Sequence, residues 1–311
     1  MKQNNVVVGA VGLGGESVFL TVDHFHAPGE TLQADGLFVE AGGKAYNQAV
    51  AAARLGAKVL FFGAVGDDSS GEMCRNVLTS EGIEPILQVV PGKNTAYASI
   101  LTDRTGENQV TVSRGAADRL SASFIFSREA DFARCTHLIL GLECPLEATE
   151  AATELARKYN IFTILNPAPA FPLNFDFLRS FDLITPNLQE AAVLLGLAYQ
   201  PKPKELAAKL RDAGLVKTVV TLGSRGSLLV AEDECLLFPA VPVKAVDTTG
   251  AGDTFNAALA VSLGNGHSLR EAIEYATNAS SCSVRVPHVL PSLPTDEQLR
   301  ADYHAVVPVP L

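Results

Sequence analysis

The chain has 311 residues, of which 47% are hydrophobic and 19% charged, a balance that supplies a sizeable core and excludes a disordered or low-complexity chain. Its 34 acidic residues against 24 basic ones leave a formal charge of −10 with no Lys/Arg-rich stretch, which speaks against a nucleic-acid or anionic-membrane partner. An anionic ligand therefore has to be held locally, by backbone and a few side chains. The start, MKQNNVVVGAVG, lacks the apolar region and cleavage pattern of a signal peptide, and no apolar run approaches the roughly 18 residues of a membrane span. Cys74, Cys135, Cys144, Cys235 and Cys282 are scattered without a CxxC and read as free thiols of a cytoplasmic protein.

Short runs apolar on both faces recur at residues 6–9, 59–63, 137–141, 162–165, 183–185 and 218–222, with helical stretches between them. That alternation predicts a doubly wound, mostly parallel sheet in an α/β chain, with ligands at the carboxyl ends of its strands. Helices predicted over 45–55, 188–195 and 253–263 stop at Gly56, Gly196 and Gly264, each read as a left-handed cap. Segments 31–40 and 95–113 alternate instead, with a turn at Asp103-Arg104-Thr105-Gly106, and read as antiparallel strands of a small sheet projecting over the site as a lid, or as an edge hairpin of the main sheet. Pro201-Lys202-Pro203 and the tail from Pro287 read as surface loops, so residues 1–311 are expected to form one domain.

The segment richest in chemistry is Asp247-Thr248-Thr249-Gly250-Ala251-Gly252-Asp253-Thr254-Phe255, which leads into an apolar helix. Glycines at 250 and 252 let N–H groups crowd at a helix N-terminus, where dipole and unpaired donors favour a phosphate. Asp253 in the same turn can accept the proton of an attacking hydroxyl while Gly250, Ala251 and Gly252 stabilise the transferring phosphoryl group. The alternative for Asp253 is a plain N-cap on a glycine-rich turn.

DTTGAGDTF at 247–255, together with GGKAYNQAVAAARLGA at 42–57 and VGDD at 65–68, resembles the two signatures of the ribokinase (PfkB) sugar-kinase family. The likeness extends through PGET (28–31), GLECPLE (141–147), NPAPA (166–170), ITPN (184–187) and TLGSRG (221–226). It implies a three-layer α/β/α fold with a β-lid, phosphorylation of a primary sugar hydroxyl by ATP with Mg2+, and a homodimer joined through the lids. It places Gly43, Lys44, Asn47 and Glu143 on the sugar, Asn166 near the phosphates, and Asn187 and Glu190 around magnesium and the triphosphate. Thr221, Gly223, Ser224 and Gly226 fall in the nucleotide loop, and Thr277 and Asn278 beside adenine. Bland readings stand beside these: a surface Lys44, a solvated strand-end Glu143, a structural turn at Asn166, a capping box from Asn187 and Glu190, and a simple turn at TLGSRG.

Two stretches depart from the family. Its sugar kinases follow the first strand with Asn-x-Asp, whereas here Gly9-Ala10-Val11-Gly12-Leu13-Gly14-Gly15-Glu16-Ser17 is longer and lacks the Asp. Glu16 or Ser17 is expected to substitute, and the altered anchor leaves another sugar, a sugar acid or a nucleoside, or a non-catalytic ligand sensor, as alternatives to ribose. The family's potassium site beside the anion hole implies Asp247 and Thr249 with Ser283, Val286 and His288. Pro287 changes that loop's backbone options and leaves K+ use open. His24 and His26 read as loop histidines rather than a metal pair.

Overall fold

The computed structural model describes residues 6–311; the MKQNN start, read above for its lack of a signal pattern, lies outside the described residues. The first half of the chain runs β1 (Val7–Val11), β2 (Gly15–Thr21), β3 (Gly36–Gly42), α1 (Lys44–Arg54), β4 (Lys58–Gly66), α2 (Ser69–Ser80), β5 (Glu84–Val90), β6 (Ala96–Thr102), β7 (Asn108–Ser113), α3 (Ala122–Ser127), α4 (Glu129–Phe132) and β8 (His137–Leu140). It continues through α5 (Leu146–Tyr159), β9 (Phe162–Leu165), α6 (Phe175–Arg179), β10 (Leu183–Ile184), α7 (Leu188–Leu194), α8 (Pro203–Asp212), β11 (Thr218–Thr221), β12 (Ser227–Val230) and β13 (Cys235–Phe238). Helices α9 (Ala251–Gly264), α10 (Leu269–Ser283) and α11 (Asp296–Ala301) precede the short closing strand β14 (Val309–Pro310).

One ten-stranded sheet has the order β14-β13-β12-β11-β10-β9-β8-β1-β4-β5. It is parallel from β5 to β11 and antiparallel through β12, β13 and β14. Alternate strand residues feed two cores. Val8, Ala10, Phe61 and Ile139 pack with α1, α2, α9 and α10 on one face, while Leu60, Phe62, Leu138 and Leu140 pack with α3, α5 and α8 on the other. The chain starts in the middle at β1, winds outward to β4 and β5, then returns to β8 on the opposite side. That reversal between β1 and β8 is a topological switch point, and its crevice lies at the strands' carboxyl ends.

A separate four-stranded sheet has the order β3-β2-β6-β7. Its β2–β3 and β6–β7 pairs are antiparallel, but β2 and β6 run parallel, so the lid is mixed rather than wholly antiparallel. The alternation predicted over 31–40 begins as strand only at Gly36, and the sequence reading missed β2 entirely. The stretch that departs from the family after the first strand is a short glycine turn followed by that lid strand.

Two of the predicted glycine caps hold: Gly56 and Gly196 take positive φ just past α1 and α7. Gly264 does not, because α9 continues through it and the left-handed residue is Gly266. Glycine at 264 serves packing instead, since a Cβ there would lie 2.5 Å from Val6 Cγ1. Among the described residues no helix is long and apolar enough to cross a membrane.

Candidate active site

Two glycine turns nest at the switch point. A Cβ on Gly12, just past β1, would stand 2.5 Å from Ala45 Cβ, and Gly43 at φ 122° would meet Leu13 O at 2.3 Å. Only glycine allows this approach, and it brings the N-terminus of α1 to the mouth of the crevice. No side chain of its own neighbourhood caps α1. Glu143, just beyond β8, supplies the cap from across the fold: its Oε1 accepts from Lys44 N at 3.1 Å and its Oε2 from Ala45 N at 3.2 Å. Burial pushes the Glu143 carboxyl up to about 7, with the two amides and the Lys44 charge pulling the other way. Each oxygen has a second lone pair that can accept a further hydrogen bond.

Asp253 sits inside α9, whose cap position is Gly250 at φ 79°, so the N-cap alternative for Asp253 does not describe this turn. Its side chain is buried, and Asn47 Nδ2 donates to Oδ2 at 2.9 Å while Gln48 Nε2 donates to Oδ1 at 3.2 Å. Burial raises the Asp253 pKa above the ordinary range for the type; the Lys44 charge and the two amides oppose the rise. Lys44 itself is exposed, and the charge of Asp253, then those of Glu143 and Glu190, raise its pKa above the ordinary lysine value. Asn47 Oδ1 and Gln48 Oε1 are buried and have no partner in the protein. An unpaired buried acceptor is costly, so this pair points to hydroxyl donors arriving with a ligand.

Gln48, which the sequence reading did not single out, joins this network through its contacts to Asp253 and Asn166. A glutamine on the core side of an alanine-rich helix is the sequence signal that marks it. Asn166 belongs to the same network, accepting from Gln48 Nε2 at 3.2 Å and donating to Thr185 O at 3.0 Å. Both ends of its amide are engaged, which fits the structural reading of NPAPA better than a phosphate contact.

The turn 250–252 is open at Gly252. A Cβ on Gly252 would meet nothing within 4 Å, no side chain caps α9, and Ser280 Oγ ties Ala251 O to α10 at 2.9 Å. The first-turn N–H groups are therefore available to an anion. Beside them Asp247 is fully engaged by the backbone: Oδ1 accepts from Thr249 N at 2.9 Å and Oδ2 from His288 N at 3.0 Å. Ser283 is buried in the last turn of α10, while Val286 faces solvent. Among the described residues there is no cluster of three or more His, Cys, Asp or Glu suited to a metal, and His24 pairs instead with Asp23 and Glu30.

On the other side of the crevice Asn187 and Glu190 form a capping box on α7, Asn187 Oδ1 accepting from Glu190 N and Glu190 Oε2 from Asn187 N, each at 2.8 Å. Burial raises the Glu190 pKa, and the charges of Lys44 and Asp253 act on it, so it belongs to the same electrostatic cluster. Asn187 and Thr221 are bridged between neighbouring chain segments, which sets the TLGSRG turn next to α7. Gly223 and Ser224 in that turn are exposed. Gly226, at φ 91°, is required by the turn itself, because its Cβ would strike Phe238 O at 1.9 Å.

Three expected contacts are redrawn. Asn278 is wholly buried, and its amide is taken up by the C-terminal tail: Nδ2 donates to His304 O at 2.8 Å and Oδ1 accepts from His304 N at 2.7 Å. Thr277 turns its hydroxyl back to Ile273 O at 2.8 Å. Glu16 accepts from Ser70 Oγ on α2, away from Asp253, whereas Ser17 Oγ lies over Gly42, in the same corner as Asn47. Of the two expected replacements for the missing Asp, Ser17 is the one that stands beside Asn47.

With this geometry in place, comparison with known proteins gives a consistent result. A family model described as pfkB family carbohydrate kinase matches residues 2–296. Ribokinase of Haemophilus influenzae is 35% identical over 301 residues, covering 96% of this chain and 97% of its own. The crystal structure of ribokinase from Thermotoga maritima superposes with a TM-score of 0.85 at 33% identity, covering 95% of this chain and 98% of that one. Arabidopsis thaliana ribokinase, solved in complex with ribose and ATP, superposes with a TM-score of 0.86 at 26% identity, covering 96% and 98%.

Proposed function

The chain belongs to the pfkB family of carbohydrate kinases, and we propose that it transfers the γ-phosphoryl group of ATP to the primary hydroxyl of a sugar, with D-ribose as the substrate. The observation that carries this reading is a buried carboxylate, Asp253, held by two amides one helical turn from an uncapped, open helix N-terminus. Relatives similar to this chain over nearly their whole length include ribokinases, one of them solved with ribose and ATP.

In this mechanism the sugar hydroxyl lies between Asp253 and the γ-phosphate. Its proton passes to Asp253, whose raised pKa makes it a better acceptor, as a new P–O bond forms and the bond to ADP breaks. The amides of Gly250, Ala251 and Gly252 take the charge on the equatorial oxygens, and Lys44 adds a cation. The remaining sugar hydroxyls meet Gly43, Asn47, Glu143 and Ser17, giving Asn47 Oδ1 the donor it lacks. Asn187, Thr221, Gly223, Ser224 and Gly226 line the nucleotide.

A half-buried carboxylate with a hard oxygen donor set suits magnesium, and Glu190 would hold Mg2+ through its waters; the ion would neutralise charge on the β- and γ-phosphates. Potassium would be bound by backbone carbonyls of the loop that Asp247 organises through Thr249 and His288. Free, mostly buried cysteines accord with a cytoplasmic setting.

The test is a coupled ADP-release screen over pentoses, hexoses, sugar acids and nucleosides with MgATP, with and without K+. Ribose is expected to give the highest turnover. A nucleoside or sugar acid exceeding every pentose overturns the substrate, and no ADP release with any acceptor overturns the kinase reading.

A further inference from the structure

Asn166 is the first residue after β9, and the ends of three neighbouring strands hold it. Its backbone N donates to Leu140 O, the last residue of β8, at 2.8 Å, and its side-chain Nδ2 donates to Thr185 O, just past β10, at 3.0 Å. Thr185 is itself tied back to β9, its N donating to Leu165 O at 2.9 Å. A backbone carbonyl can only accept, so the nitrogen of the Asn166 amide must face Thr185 and Oδ1 must face the other way. That oxygen meets Gln48 Nε2 at 3.2 Å. The same constraint then fixes Gln48: its nitrogen faces Asn166, and the second hydrogen on that nitrogen is donated to Asp253 Oδ1 at 3.2 Å. Gln48, Asn166 and Asp253 are all buried, so the order of donors and acceptors is set from the Thr185 carbonyl through two amides to the carboxyl.

The fixed orientation leaves Gln48 Oε1 buried without a partner in the protein, a cost that an amide free to turn would avoid. Once the Asp253 carboxyl carries a proton it can donate, and Gln48 turned over would accept from it through Oε1. That reversal would set Oε1 against Asn166 Oδ1, one acceptor on another, and Asn166 cannot turn with it because its nitrogen is held by Thr185 O. We propose that Asn166 is a positioning residue for the base: its carbonyl locks the Gln48 amide with the nitrogen toward Asp253, whether or not the carboxyl carries a proton. The locked amide favours the carboxylate over the acid, against the burial that favours the acid, so the base is kept ready to accept a proton and to release it after transfer. Its place in turnover rests on the kinase reading; the lock itself rests only on the order of the hydrogen bonds.

The experiment titrates Asp253 by NMR in the full-length protein without ligands, using carbon-labelled aspartate and Asp253→Asn to assign its carboxyl signal. Asn166→Leu is compared with Gln48→Met and with the double variant. In Asn166→Leu the freed Gln48 can turn Oε1 to a protonated Asp253, so the titration should move to higher pH; in the Gln48→Met background the same substitution should move it no further. Lys44 on α1, Glu143 beyond β8 and Glu190 on α7 are the charged groups that act on Asp253, and all three stay in place in every variant. An unmoved titration in Asn166→Leu, or a shift that adds in full to that of Gln48→Met, overturns the proposal and leaves Asn166 a structural turn residue. If Asn166→Leu does not fold, Asn166→Ser, which removes the same carbonyl and leaves room for water, decides by the same criterion. Turnover reports the consequence: with the sugar that wild type phosphorylates best, kcat of Asn166→Leu should fall about tenfold while KM stays within about threefold, and a change confined to KM would place Asn166 on the substrate and overturn the proposal too. If wild type phosphorylates no acceptor, the kinase reading fails, while the titration still decides the lock.

Discussion

Gln48 Nε2 stands 3.2 Å from Asp253 Oδ1 and 3.2 Å from Asn166 Oδ1, so one amide nitrogen aims the proposed base and ties it to the end of β9. Replacing Gln48 with methionine keeps the volume and removes the donor. We expect kcat to fall roughly 10- to 100-fold, because small misplacements of a reacting group carry costs of that order. Losing a donor to the carboxylate also raises its pKa, so the acid limb of the kcat profile should move to higher pH. A variant with kcat within twofold of wild type and an unmoved acid limb would make Gln48 a packing residue.

Asp253→Asn tests the base itself. Asparagine preserves shape but cannot take the proton, and general-base catalysis is worth about 10²–10⁴-fold, so turnover should drop by at least that lower bound with the fold and ATP binding retained. More than about a tenth of wild-type turnover in the purified variant would exclude Asp253 as the base, since less than ~1.4 kcal/mol would then be missing from the barrier.

Glu143 makes a prediction about stability and pH. Its folded pKa, about 7, lies above the ordinary glutamate value of 4.5, so the folded state holds its proton more tightly than the unfolded chain does. The contribution of this group to stability is therefore complete at acid pH and declines as pH rises from 4.5 through about 7. Glu143→Gln abolishes the titration and should flatten that part of the Tm–pH curve. It also leaves one α1 amide without an acceptor, a cost of about 1–3 kcal/mol that should appear as a lower Tm at pH 5. An unchanged slope between pH 4.5 and 7 would show that Glu143 does not titrate as described.

The lid face turned from the crevice carries Leu37 at 68% exposure, Val39 at 43% and Tyr97 at 42%. Leu20, opposite Leu37, lies on the same face, and these side chains form an apolar patch that a second copy's lid would cover. Sedimentation should give a dimer for wild type at micromolar concentration and a monomer for Leu37→Asp. A monomeric wild type refutes the lid-mediated dimer.

Much of this architecture was legible before any coordinates. Apolar runs broken by helices specified the wound sheet, and the GAGD segment pointed to a glycine-started helix with a carboxylate in its first turn, because strand periodicity and glycine's access to positive φ are properties of a few consecutive residues. Tertiary structure alone decided which atoms meet. Glu143 reads locally as a solvated strand end, yet it caps a helix 98 residues earlier in the chain, at Ala45. Glu16 and Ser17 are neighbours in sequence, but the two-residue period of β2 sends one to Ser70 and sets the other beside Asn47. Asn278 reads as a site amide and is instead bound by His304, while Glu40 reads as one charge in an alternating strand and holds a loop 249 residues away at Val289. Such pairings depend on how layers pack and on the requirement that every buried donor and acceptor find a partner, conditions set by the assembled fold and by no segment of it.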